Sequence, residues 1–295
     1  MRFSFYFLML SLVFSCASVE AELRVMTLNA EWLWTPHDRH IDGNKFNKGD
    51  MTPSAYREEI NFYAAMISEQ KINIVAISEI ENERVANDLA DELGGKWYAY
   101  FMQGRDTATG QDVALLSNLS HVHDSLTDFG FPSGRLPGSS KKKRLSKIVG
   151  AQFWVHHQDL NNVASTDLGP YKLGVITAHF LSKRKGDFKK SQNRKRQAYA
   201  LVKAMDYFEK TSKKLIVMGD FNDEITSPTL KILRKKHSLK TIQDCPLSFK
   251  TNASTANSYA RRIDHILYSG LVCNKQQVID LLKFSDHNAI LGIFK

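Results

Sequence analysis

The chain alternates between short apolar runs and segments in which apolar residues recur every three or four positions. Leu23–Leu28, 72-INIVAIS-78, Val113–Ser117, Lys147–Val155, Tyr171–Phe180 and Leu215–Met218 are too short for helices, and they predict interior strands. Trp97–Met102 and stretches near 262–268 and 287–294 read the same way. Tyr56, Ile60, Tyr63, Ala64 and Ile67 follow helical spacing instead, behind a Thr52-Pro53 start in which threonine caps and proline opens the first turn. Ala198, Leu201, Val202, Met205 and Phe208 share one face of a helix predicted over 188–209. Shorter helices are predicted over 82–93, closed by Gly94-Gly95, and over 227–236, while 30–51 reads as a polar loop. Several neighbouring strands leave no room for a crossover helix. The pattern therefore predicts an α/β sandwich of mixed sheets, in one domain from 22 to 295.

The first residues follow a different rule. Met1-Arg2 precedes the apolar block Phe3–Phe14, and small residues in 15-SCASVEA-21 lead to a cleavage position before Glu22. This is the layout of a secretory signal peptide over 1–21, too short for an ordinary membrane span, and it predicts a secreted or periplasmic protein. A lipid anchor on Cys16 is the alternative, opposed by the bulky Phe14 upstream. No later segment is apolar and long enough to span a bilayer, and a monomer is expected. Cleavage would remove one base (Arg2) and one acid (Glu20), so the net charge of +9 persists and favours polyanionic partners. Cys245 and Cys273 remain, free to pair or not in an oxidising compartment.

Polar residues gather where the apolar runs stop. The first strand ends on Asn29, the second on Glu79, and 174-GVITAHFLSK-183 carries His179. Leu215–Met218 leads into Gly219-Asp220-Phe221-Asn222-Asp223. Asp264 (RRIDHILYS) and Asp286-His287 (FSDHNAILGIF) come late. Carboxylates, amides and imidazoles without cysteine suit a hard cation and a phosphate, with Glu79 as anchor and Asn29 adding a carbonyl oxygen. Mg²⁺ is the expected ion, with Mn²⁺ or Ca²⁺ as alternatives. His37, Asp38 and His40 raise a zinc reading, but nothing completes a ligand set around them.

The segments TLNAEWLW, IVAISEIEN, the Gly-Arg-Asp…Asp-Val-Ala-Leu-Leu-Ser stretch at 104–117, ITAHFLSKRKG, VMGDFND, RRIDHILYS and FSDH occur in an order that resembles the endonuclease/exonuclease/phosphatase superfamily, which contains deoxyribonuclease I and exonuclease III. The resemblance implies a four-layer α/β/β/α sandwich with its site at the rim between two sheets. It implies that Asn29 and Glu79, with Asp286, serve the metal. Asp220 would orient or deprotonate the attacking water, and Asn222 would position the water or the phosphate. His287, held by Asp264, would act on the scissile phosphate. His179 would donate to a phosphate oxygen or assist the leaving group, with Asp112 as its acidic partner. Arg105 is implied only as a phosphate contact.

The superfamily acts on DNA, RNA, phosphoinositides, sphingomyelin and nucleotides, so the resemblance leaves the substrate open. The run 183-KRKGDFKKSQNRKR-196 begins beside His179, placing Lys183, Arg184 and Lys185 where flanking phosphates would lie. The run 141-KKKR-144, with Lys147 close behind, is either a solvated face or a second phosphate contact. Arg-Arg-Ile-Asp-His stands where inositol-phosphatase relatives carry Pro-Ser-Trp-Cys-Asp-Arg. These features favour a metal-dependent nuclease of low sequence specificity, an endonuclease acting on DNA or RNA. The alternatives are a phosphodiesterase or phosphatase for lipid headgroups or nucleotides, and an inactive polyanion-binding module.

Overall fold

The computed structural model describes residues 22–36, 51–105, 110–160, 169–183, 188–247 and 262–295. The expected signal peptide, the His37/Asp38/His40 loop, Arg184 and Lys185 lie outside the described residues. The chain runs through β1 (Leu23–Leu33), α1 (Pro53–Glu69), β2 (Ile74–Ile80), α2 (Glu83–Leu93), β3 (Tyr98–Phe101), β4 (Asp112–Ser117) and β5 (Ser120–His121). A ribbon of β6 (Ser133–Arg135) and β7 (Lys142–Arg144) precedes β8 (Ile148–Val155), β9 (Tyr171–Ala178), α3 (Phe188–Glu209) and β10 (Lys214–Asp220). Then come α4 (Pro228–Lys236), β11 (Lys240–Thr241), β12 (Asp264–Ser269), β13 (Cys273–Asp280) and β14 (Asn288–Phe294).

The strands form two six-stranded sheets, ordered β13-β14-β1-β2-β4-β3 and β11-β12-β10-β9-β8-β5. Each is antiparallel except for one parallel pair, β1 with β2 and β10 with β9. Alternation along the strands builds the layers. Val25, Ile74, Ala76, Val113 and Leu115 face Val149, Ala151, Val175, Ile216 and Met218 across the central core. Their neighbours Met26, Val75, Ile77 and Leu116 pack under α1 and α2, against Tyr56, Ile60, Tyr63 and Leu89. On the far side Ile176, Leu215 and Val217 meet Ala198, Leu201 and Met205 of α3 and Leu230 and Leu233 of α4. Burying each such side chain stabilises by roughly 1.5–3 kcal/mol, and strands covered on both faces lose polar alternation. The sandwich is therefore α/β/β/α, as the resemblance implied.

Helix starts are as the sequence indicates. Thr52 Oγ1 accepts from the Ala55 amide at 3.1 Å, and Ser227 Oγ accepts from the Leu230 amide at 3.2 Å. Each cap satisfies an amide that the first helical turn leaves without a partner. Three features differ from expectation. β1 continues into the expected loop, through Glu31 and Trp32 at φ 44° and 71°, and its pairing with β2 slips between Asn29 and Leu33. β13 is an edge strand whose polar sequence CNKQQVID gives no apolar run. The β6–β7 ribbon forms where only a basic run was visible. Cys245 and Cys273 are joined as a disulfide, with Cα atoms 6.0 Å apart. Among the described residues no helix is long and apolar enough to cross a membrane.

Candidate active site

Topology explains why distant residues meet. The parallel pairs β1–β2 and β9–β10 end on one rim of the sandwich, so Asn29, Glu79, His179 and Asp220 arrive there together. β12 and β14 run antiparallel to β10 and β1, so their starting residues reach the same rim. Asp264 stands opposite Asp220 in register, and His287 immediately precedes β14. A cleft of about 750 Å³ opens over this rim.

At its floor Asn29 bridges two carboxylates. Its Nδ2 donates to Glu79 Oε1 at 3.0 Å and to Asp220 Oδ2 at 3.2 Å. The Asn29 Oδ1 instead accepts from the Glu31 amide at 2.8 Å, which fixes the side-chain orientation. The left-handed turn at Glu31, within β1, engages that oxygen, and the amide nitrogen steers Glu79 and Asp220. Asp220 is 1% exposed and also accepts from the Asn222 amide at 2.8 Å. Burial, reinforced by the Asp264 charge, pushes its carboxyl well above the usual carboxylate range. Burial also raises Glu79, against the opposing pull of its Asn29 hydrogen bond and Lys147.

The turn that presents Asp220 depends on its glycine. Gly219 sits at φ 133°, and a Cβ there would lie 2.3 Å from the Ala178 carbonyl oxygen. Glu79 and Asn222 adopt left-handed φ values of 62° and 51°. Such conformations cost on the order of 1–3 kcal/mol each and persist where surrounding contacts enforce them. For Asn222 those contacts are visible: Nδ2 donates to the Phe180 carbonyl at 3.0 Å, and Oδ1 accepts from the Lys183 amide at 3.2 Å.

The two imidazoles are poised oppositely. His287 Nδ1 lies 2.6 Å from Asp264 Oδ2. Burial by itself would lower its pKa, but the Asp264 charge and hydrogen bond outweigh burial and raise it to about 10. His287 is thus an imidazolium at neutral pH. Burial instead holds His179 well below the usual histidine range, assisted by Lys147 and His287. Its Nε2 lies 3.7 Å from Glu79 and 3.6 Å from Asp220, and Nδ1 has no hydrogen-bond partner among the described residues.

Other sequence candidates fall at varying distances from this chemistry. Asp286 is exposed in the cleft wall, its amide donating to Glu31 Oε2 at 2.8 Å. Arg105 lines the cleft, with its guanidinium carbon 4.9 Å over the Phe131 ring. Asp112 accepts from Gln103 and from the Gly104 amide instead of meeting His179 Nδ1. The 103–105 loop folds back over the start of β4 and captures that carboxylate. Lys183 is turned to Glu224 at 2.9 Å, so its charge is already paired. Asp223, next to the site in sequence, anchors α3 and α4 through Arg194 and Thr229.

Sequence reasoning missed Glu31 and Gln111, and saw Lys147 only as a base trailing the 141–144 run. Gln111 Nε2 donates to Glu79 Oε2 at 2.6 Å, while its Oε1 accepts from the buried Lys147 Nζ at 3.2 Å. Glu31 could have been suspected from TLNAEW, two residues beyond Asn29. Nothing local marks Gln111 or the inward role of Lys147, because both depend on β2, β4 and β8 meeting at the rim.

The donor chemistry fits a hard cation. Glu79, His179 and Asp220 each offer a ligand atom, all within 4.8 Å of one another, and Asp220, Asp264 and His287 form an overlapping set. Burial raises the proton affinity of two carboxylates despite the nearby His287 and Lys147 charges, and Asp264 Oδ1 has no hydrogen-bond partner among the described residues. Oxygen donors and incomplete charge balance are what Mg²⁺-type ions satisfy. These residues form a possible acidic and histidine metal site.

Known structures share this architecture at low sequence identity. An endonuclease/exonuclease/phosphatase from Bacteroides vulgatus aligns with a TM-score of 0.59 and 15% identity, covering 94% of this chain and 99% of that one. The human Nocturnin catalytic domain with bound sulfate anion gives 0.55 and 16%, covering 94% and 96%. A mannosyl-6-phosphatase from Bacteroides thetaiotaomicron gives 0.56 and 15%, covering 92% and 99%. Comparison with curated protein sequences gives no match. At these identities the structures establish the fold alone. Residues 47–287, most of the chain, match the sequence profile of the Endonuclease/Exonuclease/phosphatase family, and the chain belongs to that family of phosphoric ester hydrolases.

Proposed function

We propose that the protein is a secreted or periplasmic, Mg²⁺-dependent phosphodiesterase that cuts DNA or RNA internally with little sequence preference. One observation carries the reading. The Asn29–Glu79–Asp220 cluster and the Asp264–His287 pair share a cleft that five basic residues, Arg105, Lys143, Arg144, Lys147 and Lys190, also line, against two further acids, Glu31 and Asp286. A net charge of +9 strengthens the attraction for a polyanion. Phosphate contacts of this kind hold the backbone and carry no base information.

Each residue has a chemical task in this reading. Asp220, buried and proton-seeking, accepts the proton of the attacking water, with Asn29 and Asn222 fixing its carboxylate. His287, kept cationic by Asp264, faces charge that develops on the phosphoryl oxygens. His179, neutral through burial, offers Nε2 as a hydrogen-bonding group and adds no second positive charge. Bound through Glu79 and its neighbours, Mg²⁺ would supply Lewis-acid polarisation of a phosphoryl oxygen. A binding module without activity would not need this assembled set.

The fold does not choose the ester, since similar structures include a mannosyl-6-phosphatase. The test is a substrate panel with purified mature protein and Mg²⁺: supercoiled plasmid, single-stranded RNA, sphingomyelin vesicles and mannose 6-phosphate. Cleavage of plasmid or RNA, at rates far above the other two, is expected. Turnover confined to vesicles or the sugar phosphate would sink the nucleic-acid reading.

A further inference from the structure

We infer that the β6–β7 ribbon forms a second phosphate-binding subsite, which grips the nucleic-acid backbone beside the phosphate being cut. The inference rests on the nuclease reading above and specifies how the substrate is held.

Cation placement is the first argument. The run that begins beside His179 was the expected clamp, yet Lys183 is neutralised by Glu224 at 2.9 Å and Asp223 at 3.8 Å. On β7, by contrast, Lys143 and Arg144 line the cleft together with Arg105 and Lys190. Among the described residues, Arg105, Lys143 and Arg144 make no ion pair with a carboxylate. Lys147, immediately after the ribbon, is committed inward through Gln111 to Glu79. The basic residues of this stretch thus divide: Lys147 serves the catalytic cluster, and Lys143 and Arg144 of the ribbon remain available to another anion.

Rigidity is the second argument. A two-stranded ribbon of three residues per strand is marginal alone. Here it is fastened to α3. A Cβ on Gly134 would lie 1.9 Å from the Arg196 carbonyl oxygen, so only glycine lets β6 lie against the helix backbone. Arg196 Nε donates to the Lys141 carbonyl at 3.2 Å, and Lys203 Nζ donates to the Ser133 carbonyl at 2.7 Å. Buried Leu145 closes the ribbon, its amide donating to the Pro132 carbonyl at 2.9 Å. The Arg105 amide donates to the Ser146 carbonyl at 3.0 Å, tying the third cation to the same frame. Pre-positioned cations lose less freedom on binding than cations on a mobile loop.

The chemistry that fits is a phosphodiester chain. His179, His287 and Asn222 already serve the phosphate under attack, so the ribbon cations meet a neighbouring one. A sugar monophosphate has no neighbouring phosphate and would leave them unused.

The experiment uses the mature chain and a fluorescent oligonucleotide, with binding measured across salt in EDTA and cleavage measured in Mg²⁺. For Lys143→Ala/Arg144→Ala, log K against log[salt] should flatten by about 1–2 units, as one or two phosphate contacts are lost. KM should rise roughly tenfold while kcat changes by less than about threefold, as for a uniform binding contact. Lys143→Arg/Arg144→Lys should restore the slope, which a folding defect would not allow. Lys142→Ala on the same strand is the control and should match wild type. A wild-type enzyme that cuts oligonucleotides, combined with an unaltered slope and KM in the double variant, would overturn the ribbon subsite alone. A wild-type enzyme that cuts neither DNA nor RNA would overturn both readings.

Discussion

Asp223 offers a sharp test of how the fold holds the site, because it neighbours the catalytic candidates in sequence but points into structure. Its Oδ2 accepts from Thr229 Oγ1 at 2.7 Å and from Arg194 Nε at 3.3 Å, and its carbonyl lies 2.8 Å from His265 Nε2. The Arg194 side chain is only 5% exposed, and its other hydrogen bond, to the Ser182 carbonyl, is long at 3.4 Å. Asp223→Ala would strand a buried guanidinium. Breaking a buried pair in this way costs about 3–5 kcal/mol, whereas replacing both partners with apolar groups is often near neutral. Asp223→Ala should therefore lose about 3–5 kcal/mol in urea unfolding. Asp223→Ala/Arg194→Met should lose at least about 2 kcal/mol less than the sum of the two single changes. Under folding conditions the kcat of Asp223→Ala should stay within about tenfold of wild type. Additive costs within about 0.5 kcal/mol would refute the buried-pair argument. Loss of activity in fully folded protein would refute the assignment of Asp223 to structure.

Three further outcomes are expected. Removing the disulfide as Cys245→Ala/Cys273→Ala, a link across 28 residues, should cost about 3.5 kcal/mol by loss of chain constraint; under about 1 kcal/mol in urea titration would contradict this. Because His287 is raised from its ordinary value to about 10, its contribution to metal-free stability is complete below about pH 6.5 and is lost as pH rises toward 10. Asp264→Asn should flatten that decline in thermal melts in EDTA, and an unchanged pH profile would remove the pair as its source. Gln111→Ala breaks the 2.6 Å hydrogen bond to Glu79 and should raise the half-saturating Mg²⁺ concentration about tenfold; an unmoved titration would mean that Gln111 does not orient Glu79.

Residues that report locally on their own surroundings were legible in the sequence. LIVM and INIVAIS could be read as interior strands because burial on both faces removes alternation, and Thr52-Pro53 marked a helix start because cap chemistry is local. The same rule exposed Asn29, Glu79, Asp220 and Asp264, each a polar residue at the end of an apolar run. What stayed hidden depends on distant partners. β13 needs β14 to hold its polar edge, and Gln111 acquires its role only when β2 delivers Glu79. The orientation of Asn29 is set by one amide two residues away, in a left-handed turn that spacing does not reveal. Lys183 and Lys143 look equivalent as basic residues until Glu224 is seen to neutralise the first.

In the proposed mechanism Asp220 activates water for phosphodiester cleavage, at a cost to the fold. Burial holds its carboxyl well above the ordinary range, so ionised Asp220 opposes folding. The direct measurement pairs plasmid nicking, in Mg²⁺ with and without EDTA, with thermal melting for wild type and Asp220→Asn. Nicking should require metal, fall about 10²–10⁴-fold in Asp220→Asn, and accompany a melting temperature at least equal to wild type in that variant. Metal-dependent nicking that persists at the wild-type rate in Asp220→Asn would contradict that mechanism.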